Sequence, residues 1–395
     1  MQIFKTIIIG AGASGIVAAI SSKRKGDGVL LCDRSAQIGR KILASGNGRC
    51  NLLNDKLDEN HYNPEASGLV RSVFSRFDKD RIYEFFKELG LEMFSEGGRV
   101  FPVTNQAASV LKVLELELKR LSVPIELNFQ VTKILESAGG FVLTSKTNQN
   151  IACDNLIICT GGKSYPALGS DGSGYILAAR FGHKLIEPVP VGVPIVIKDR
   201  LCHFLQGQRV LADVRCTIDN KKTAQAAGEL LFTQYGLSGT VMLDISRDVS
   251  IAVNRLHSND VFVFVDLVPF MDKDRLKQEL SKRLNKGILP QELLTGILPN
   301  KFNQPLSDLL KNKDAEVISG RLKNLSFKVT GTRGWNEAEF TAGGIDSQEV
   351  NEKTLESKLK KGLYFAGEIL DVDGKRGGYN LAWAWASGFV AGLTE

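Results

Sequence analysis

Thr6-Ile7-Ile8-Ile9-Gly10-Ala11-Gly12-Ala13-Ser14-Gly15-Ile16-Val17-Ala18-Ala19-Ile20 reads as an apolar strand, a glycine-rich turn and a helix of small and aliphatic residues. Four β-branched residues before the turn predict a buried strand, and the run after it predicts a helix packed on that strand. Further on, Val29-Leu30-Leu31-Cys32 predicts a second buried strand, ending in Asp33. Together these predict a site for a dinucleotide. Gly10 permits the tight turn out of the strand, Gly12 lets the backbone approach a pyrophosphate, and Gly15 lets the helix lie close to the sheet. Ala13 and Ser14 open the helix, whose free N–H groups and partial positive charge face the phosphates. Asp33, with Arg34 beside it, stands where a carboxylate accepts hydrogen bonds from a ribose 2′-hydroxyl and disfavours a 2′-phosphate.

The chain of 395 residues is long enough for two or three domains. Its composition, 43% hydrophobic and 24% charged, is ordinary for a soluble globular protein. The 39 glycines fit a fold that brings backbone against a ligand more than once, and the net charge of +6 suits anionic cofactors or substrates. Six cysteines (Cys32, Cys50, Cys153, Cys159, Cys202 and Cys216) form no CxxC pair and no metal-ligand spacing with the four histidines, so no metal is expected. Cys32 and Cys159 fall in apolar strands and read as inert core residues. The first strand begins almost at Met1 with no signal-peptide pattern before it. No apolar run reaches the roughly 18–20 residues of a membrane span. The expected compartment is the cytoplasm, with no membrane partner.

After Asp33, Gly39, Arg40 and Lys41 lead into the loop Ser45-Gly46-Asn47-Gly48-Arg49-Cys50-Asn51. Glycines so close to cations predict a second backbone approach to an anionic ligand. Helices are predicted around Ile82, Phe85, Phe86 and Leu89, and over 107–121, where Val110, Leu111, Leu114 and Leu118 share one face. The period then becomes extended at 125–127, 131–135 and 141–144. Leu156-Ile157-Ile158-Cys159 predicts a buried strand running into Thr160-Gly161-Gly162, a further place where backbone can lie against the same dinucleotide. Pro188, Pro190 and Pro194 mark a boundary. Strand-like stretches follow, then short helical ones from about Asp272 to Leu325. At the end, a strand over 362–366 leads to Gly367 and Glu368, then a glycine-rich loop and an apolar helix over 381–393.

Three separated glycine sites fit one extended FAD better than a nicotinamide dinucleotide, which needs only the first. Gly10, Gly12, Gly15 and Asp33 would hold its adenosine diphosphate half, and Glu368 would meet the ribitol–pyrophosphate region. The helix start at Gly378, Tyr379, Asn380 and Leu381 would face the flavin ring and stabilise negative charge near N1 and O2 on reduction. The chain resembles the bacterial flavoproteins known as aminoacetone-oxidase-family, or NAD(P)/FAD-dependent, oxidoreductases. The resemblance is carried by Gly39-Arg40-Lys41-Ile42-Leu43, Ser45 through Asn51, Arg99-Val100-Phe101-Pro102, Thr160-Gly161-Gly162-Lys163-Ser164-Tyr165-Pro166, Gly169-Ser170-Asp171-Gly172, Thr341-Ala342-Gly343-Gly344, and Gly367-Glu368 through Gly388. It implies an α/β fold: a Rossmann-like, glutathione-reductase-type FAD-binding domain (1–190 and 341–395) interrupted by an inserted substrate or cap domain (191–340) with a β-barrel-like part and a small helical part. It also implies that Val131 gives adenine a main-chain contact.

What the chain lacks narrows the chemistry. Cys50 has no second cysteine near it, so dithiol chemistry is not expected. No second strand–GxGxxG–helix unit offers a nicotinamide domain, so NADH or NADPH would bind transiently at the flavin face. The leading expectation is an FAD-dependent oxidoreductase acting on a small organic substrate by hydride transfer at flavin N5, in a pocket between the FAD domain and the insert. Lys163, Tyr165, Lys375, Arg376 and Tyr379 are the candidate substrate-binding or catalytic residues. An RNA-modifying flavoprotein and a flavin-binding scaffold without turnover are the alternatives. Lys273, Arg275, Lys277, Lys282, Arg283 and Lys286 form a basic stretch, but Asp272, Asp274 and Glu279 interrupt it and no aromatics interleave, which favours a solvated helix over a nucleic-acid surface.

Overall fold

The structure is a computed structural model that describes residues 2–137 and 139–393. Strand β1 (Gln2–Ile9), helix α1 (Ala13–Lys25) and strand β2 (Val29–Cys32) form the opening unit. β1 is central. It pairs in parallel with β2 on one side and with the strand Asn150–Ile158 on the other. The sheet continues past β2 to Ile125–Glu126, and past Asn150–Ile158 to Gly140–Ser145 and Val131–Ser137. The last residues of Asn150–Ile158 also pair in parallel with Leu363–Phe365.

Register decides what meets at the carboxyl edge of this sheet. Ile9 pairs with Cys32 and with Ile158, and Ile158 pairs with Phe365. Four strands therefore end level, and Gly10, Asp33, Cys159 and Ala366 leave the sheet side by side. That edge is where ligands bind in open parallel sheets. The strands are apolar because both faces are covered: every residue of β2 is buried, as is the second half of β1. Ser21 on α1 donates from its hydroxyl to the Phe389 carbonyl at 2.9 Å, tying α1 to the C-terminal helix Tyr379–Ala391.

Two boundaries near the site differ from the sequence reading in ways that matter. The strand expected at 156–159 begins at Asn150 and ends at Ile158, leaving Cys159 just beyond it, buried, with its N–H on the Ile9 carbonyl at 2.7 Å. The C-terminal helix begins at Tyr379, two residues earlier than its apolar pattern suggests. Gly378, at φ +101°, turns the chain into the helix ahead of the polar Asn380.

The chain divides into two units, residues 1–188 with 340–395, and residues 189–339. The second has its own core, in which Phe232, Phe302 and Phe327 are fully buried. Its sheet runs Leu325–Lys328, Val261–Asp266, Arg209–Ile218, Lys221–Thr233, Gly236–Ser238, Ile195–Val196 and Gly331–Thr332, with every pair antiparallel. The first and last of these strands are one continuous run of chain. Val329 N–H donates to the Val261 carbonyl and Thr330 N–H to the Val196 carbonyl, each at 2.9 Å. One run thus pairs with both edges and closes the sheet into a barrel. The helical part includes Lys273–Asn285 and Ala315–Leu322. Lys273 and Lys277 both pair with Glu316, and Arg283 pairs with Glu279, so the basic stretch is interleaved with acids in space as well as in sequence.

Candidate functional site

At the carboxyl edge of β1 the glycine turn is held from three sides. Gly10 has φ +103°, and a Cβ there would stand 2.5 Å from the Cys159 carbonyl oxygen. Asp33 Oδ2 accepts the Ala11 N–H and Oδ1 the Ser35 N–H, both at 2.7 Å. Gly39 N–H donates to the Ala11 carbonyl at 2.8 Å. The Asp33 carboxylate keeps acceptor capacity beyond these two bonds. A Cβ at Gly12 would meet no atom within 4 Å. Helix α1 has no side-chain cap and no acid in its first turn. Its first N–H groups, Ala13 and Ser14 among them, are available to an anion. The Ser14 hydroxyl itself turns to the Ala366 carbonyl, 3.3 Å. Phe129 N–H on the Asp33 carbonyl, 2.8 Å, brings the chain leading into Val131 alongside. Arg34 pairs with Asp171 at 2.5 Å, and Arg40 donates to the Ala167 carbonyl at 2.8 Å, so both arginines brace the loop after Gly162.

A second cluster gathers around Glu368. Its Oε2 accepts from Lys41 Nζ at 2.8 Å and from the Gly162 N–H at 3.3 Å. Its Oε1 accepts from the Ser164 hydroxyl at 3.1 Å and the Thr341 N–H at 2.8 Å. Thr341 Oγ1 in turn accepts the N–H groups of Lys163 and Ser164, 2.9 and 3.2 Å. Gly161 has φ +72°, and a Cβ there would also press on Ser170 Oγ at 2.7 Å. Beside this cluster, Thr160 Oγ1 is buried without a hydrogen-bond partner among the described residues. Tyr165 follows at φ +52° and is 38% exposed.

The third cluster surrounds the start of the C-terminal helix. With its amide turned to suit both neighbours, Asn51 donates to the Leu53 carbonyl and accepts the Gly378 N–H, each at 3.1 Å. Asn54 donates to the Gly377 carbonyl at 2.9 Å. Asn380, expected at the flavin ring, uses its side chain otherwise: Nδ2 donates to the Gly374 carbonyl at 2.9 Å and Oδ1 accepts the Gly374 N–H at 2.8 Å. Tyr379 is buried, stacks on His61 with ring centres 4.6 Å apart, and gives its carbonyl to the Tyr62 hydroxyl at 2.7 Å. Lys375 is exposed and Arg376 partly so, while Leu381 lies on the half-buried side of the helix.

Other expected residues have partners of their own within the protein. Arg49 lies over the Phe101 ring at 4.1 Å and reaches Asn105 and Glu96 at 2.8 and 3.1 Å. Asn47 and Gly48 stay near it in left-handed backbone, with Asn47 exposed. Cys50 is fully buried, and burial pushes its thiol up to about 12, which makes it a packing residue. Sequence reasoning missed Ser164 and Thr341 as members of the Glu368 cluster, although both stand in quoted motifs. It also missed Asp58, His61 and Tyr62, which carry no local pattern.

The geometry fits an extended dinucleotide. The open backbone at Gly12, the uncapped start of α1 and the unpartnered Thr160 hydroxyl all stand along the edge where four strands end. The model of the HI0933-like protein Rossmann domain matches residues 4–394. The chain belongs to this family. It is an α/β enzyme with a Rossmann-type FAD-binding domain, an FAD-dependent oxidoreductase. Among its curated relatives is a 3-dehydro-bile acid delta(4,6)-reductase of Clostridium scindens, 40% identical over 98% of this chain and 97% of the relative. Another is a ribosomal RNA dihydrouridine synthase of Escherichia coli, 31% identical over 99% of this chain and 97% of the relative. Among solved structures, a 3-ketosteroid delta1-dehydrogenase from Sterolibacterium denitrificans superposes with TM-score 0.54 at 11% identity, covering 99% of each chain, and shares the fold. Among the described residues of this HI0933-like chain, no helix is long and apolar enough to cross a membrane.

Proposed function

We propose that the chain is a cytoplasmic, FAD-dependent reductase of a carbon–carbon double bond conjugated to a carbonyl group, in a small organic substrate. The observation that carries this reading is the 40% identity, over nearly the full length of both chains, to a protein named as a 3-dehydro-bile acid delta(4,6)-reductase. The dihydrouridine synthase at 31% points to the same bond change, since a dihydrouridine is a uridine saturated beside a ring carbonyl. A ribosomal RNA substrate is the second reading, favoured by that relative. The pairing of Lys273, Lys277 and Arg283 with acids favours the small molecule.

FAD, when bound, supplies a hydride donor and acceptor at ring N5. The chain's own residues would hold and surround it. The N–H groups at the start of α1 would bind the pyrophosphate, and Asp33, already fixed by Ala11 and Ser35, would accept from the ribose. Val131 would face the adenine with its main chain. Glu368, held by Lys41, Ser164 and Thr341, would present a fixed carboxylate to the ribitol. Gly378 would let backbone lie against the ring at the positive end of the C-terminal helix. Lys163, Tyr165, Lys375 and Arg376 would orient the substrate carbonyl. NADH or NADPH would bring the electrons in a separate encounter.

Anaerobic mixing with NADH and with NADPH, followed by a panel of acceptors, tests this. One nicotinamide bleaches the flavin absorbance, and a 3-oxo-4-ene steroid restores it faster than a ribosomal RNA fragment does. Restoration by the RNA alone favours the second reading. Electron donation by aminoacetone in place of a nicotinamide points to the amine oxidation that the finer family name suggests. No change with any donor leaves a flavin-binding scaffold.

A further inference from the structure

Saturating a conjugated double bond takes a hydride at one carbon and a proton at the other. We propose that His61, aligned by Asp58 and by the Tyr379 ring, delivers that proton; the inference rests on the reductase reading above. Three features of the structure point there. His61 Nδ1 lies 3.0 Å from Asp58 Oδ1, so the carboxylate fixes which nitrogen is engaged, and Nε2 has no hydrogen-bond partner among the described residues. The imidazole lies parallel to the Tyr379 ring, 10° between planes, which favours one ring orientation. Tyr379 is the first residue of the helix whose start would face the flavin. The main chain is pinned as well: the His61 carbonyl accepts the Lys375 N–H at 2.9 Å, and Tyr62 bridges to Gly374.

The rest of the surroundings suits proton transfer. The His61 side chain is 22% exposed, enough for water to reprotonate it. Burial raises the Asp58 carboxyl, but the Asn60 N–H and His61 together outweigh it and hold the group below the usual carboxylate range, so it stays an acceptor for the imidazole. The other ionisable groups about this segment are Tyr62 and Tyr379, both pushed upward by burial, Lys375, and the pair Glu59–Arg71. The step balances. A nicotinamide donor gives two electrons and one hydrogen through the cofactor, the imidazolium gives one proton to the carbon beside the carbonyl, and water returns it.

The test uses the full-length FAD-loaded protein and His61→Asn, which keeps a polar group of similar reach but cannot carry a proton. Positioned acid catalysis is typically worth about 10²–10⁴-fold. Reoxidation of the reduced flavin by a 3-oxo-4-ene steroid should slow about 100-fold in His61→Asn and lose its pH dependence. Asp58→Asn should keep a pH profile but displace it. A second readout needs no turnover, namely the midpoint potential of bound FAD against pH. In wild type the line should steepen by one proton per two electrons over part of its pH range. In His61→Asn it should run straight. Wild-type rates and profile in the variant, with the steeper segment kept, overturn the role of His61 while the reductase reading stands. If wild type reduces no unsaturated carbonyl, the reductase reading falls, and the potential measurement alone decides whether His61 exchanges a proton with the flavin site.

Discussion

Gly388 rests on the backbone of Ser14 so closely that a Cβ at Gly388 would stand 2.3 Å from the Ser14 carbonyl oxygen. The contact sets the distance between the C-terminal helix and α1, the two helices whose N-terminal ends are proposed to serve opposite halves of the cofactor site. Because the obstacle is backbone, it cannot rotate away. Gly388→Ala should cost about 1–3 kcal/mol, the usual range for overpacking. Urea unfolding of the FAD-loaded protein measures it, and a midpoint equal to wild type would contradict this packing.

Asp33 is the junction between β2 and the glycine turn. Asp33→Ala removes the acceptor of the Ala11 and Ser35 N–H groups as well as the proposed ribose partner. A hydrogen bond to a charged group is typically worth about 1.5–3 kcal/mol, so FAD affinity should fall at least about tenfold. Titration of apoprotein with FAD, followed by flavin fluorescence, gives the constant. Equal affinity would move the ribose elsewhere.

Gly378 and Asn380 separate two failures of the helix start. At Gly378 a Cβ would lie 2.5 Å from the Leu53 carbonyl carbon, at φ +101°. Gly378→Val should therefore lose FAD and thermal stability together. Asn380→Asp keeps the acceptor for the Gly374 N–H but turns an amide donor into a carboxylate facing the Gly374 carbonyl. Its thermal midpoint should drop, and the flavin potential should become more negative through the added charge. A potential shift with unchanged stability would mean that the Asn380–Gly374 clasp is not maintained in solution.

His183 gives the fold a pH dependence of known sign. Its ring is fully buried, between Glu349 at 2.9 Å and Ser357 at 2.7 Å. Burial lowers its pKa from 6.5, with Glu349 opposing. The folded state therefore resists protonation that the unfolded chain accepts. Its contribution is complete above about pH 6.5 and is lost as pH falls from there through the lower folded value. Denaturation midpoints of wild type and His183→Gln, compared across this window, should converge toward acid.

All six thiols are buried, and burial pushes Cys50, Cys153, Cys159 and Cys202 up to about 12. The native protein should react with none of its thiols at pH 8 on the timescale that labels all of them in denaturant. Rapid labelling of one thiol in the folded protein would place that thiol at the surface.

Much of this was readable from the chain. The turn at Gly10, the acid at the end of β2 and the glycine loops are local patterns, and parallel pairing of apolar strands brings them to one edge by rule. The Glu368 cluster was not readable, because it joins Lys41, Gly162, Ser164, Thr341 and Glu368 across some 330 residues. Nothing in the neighbourhood of Thr341 says that its hydroxyl will collect the N–H groups of Lys163 and Ser164. The partners of Arg49 were not readable for a related reason. A cation beside glycines suggests an anion, yet an aromatic face and two polar partners came within its reach first. His61 and Tyr379 are brought together by contacts distant in sequence, among them the bridge between Tyr62 and Gly374, a pairing too short to leave a periodic trace.

The barrel of residues 189–339 has a consequence for how such a chain can change. Ile195 pairs with Thr332, and Arg333 N–H donates to the Pro194 carbonyl at 2.9 Å. Entry and exit of the segment are hydrogen-bonded neighbours. Whatever hosts it sees two strand ends a sheet-spacing apart, a gap that a short turn spans. A module with such a doorway can be lengthened, recut or exchanged while its attachment points stay where they are.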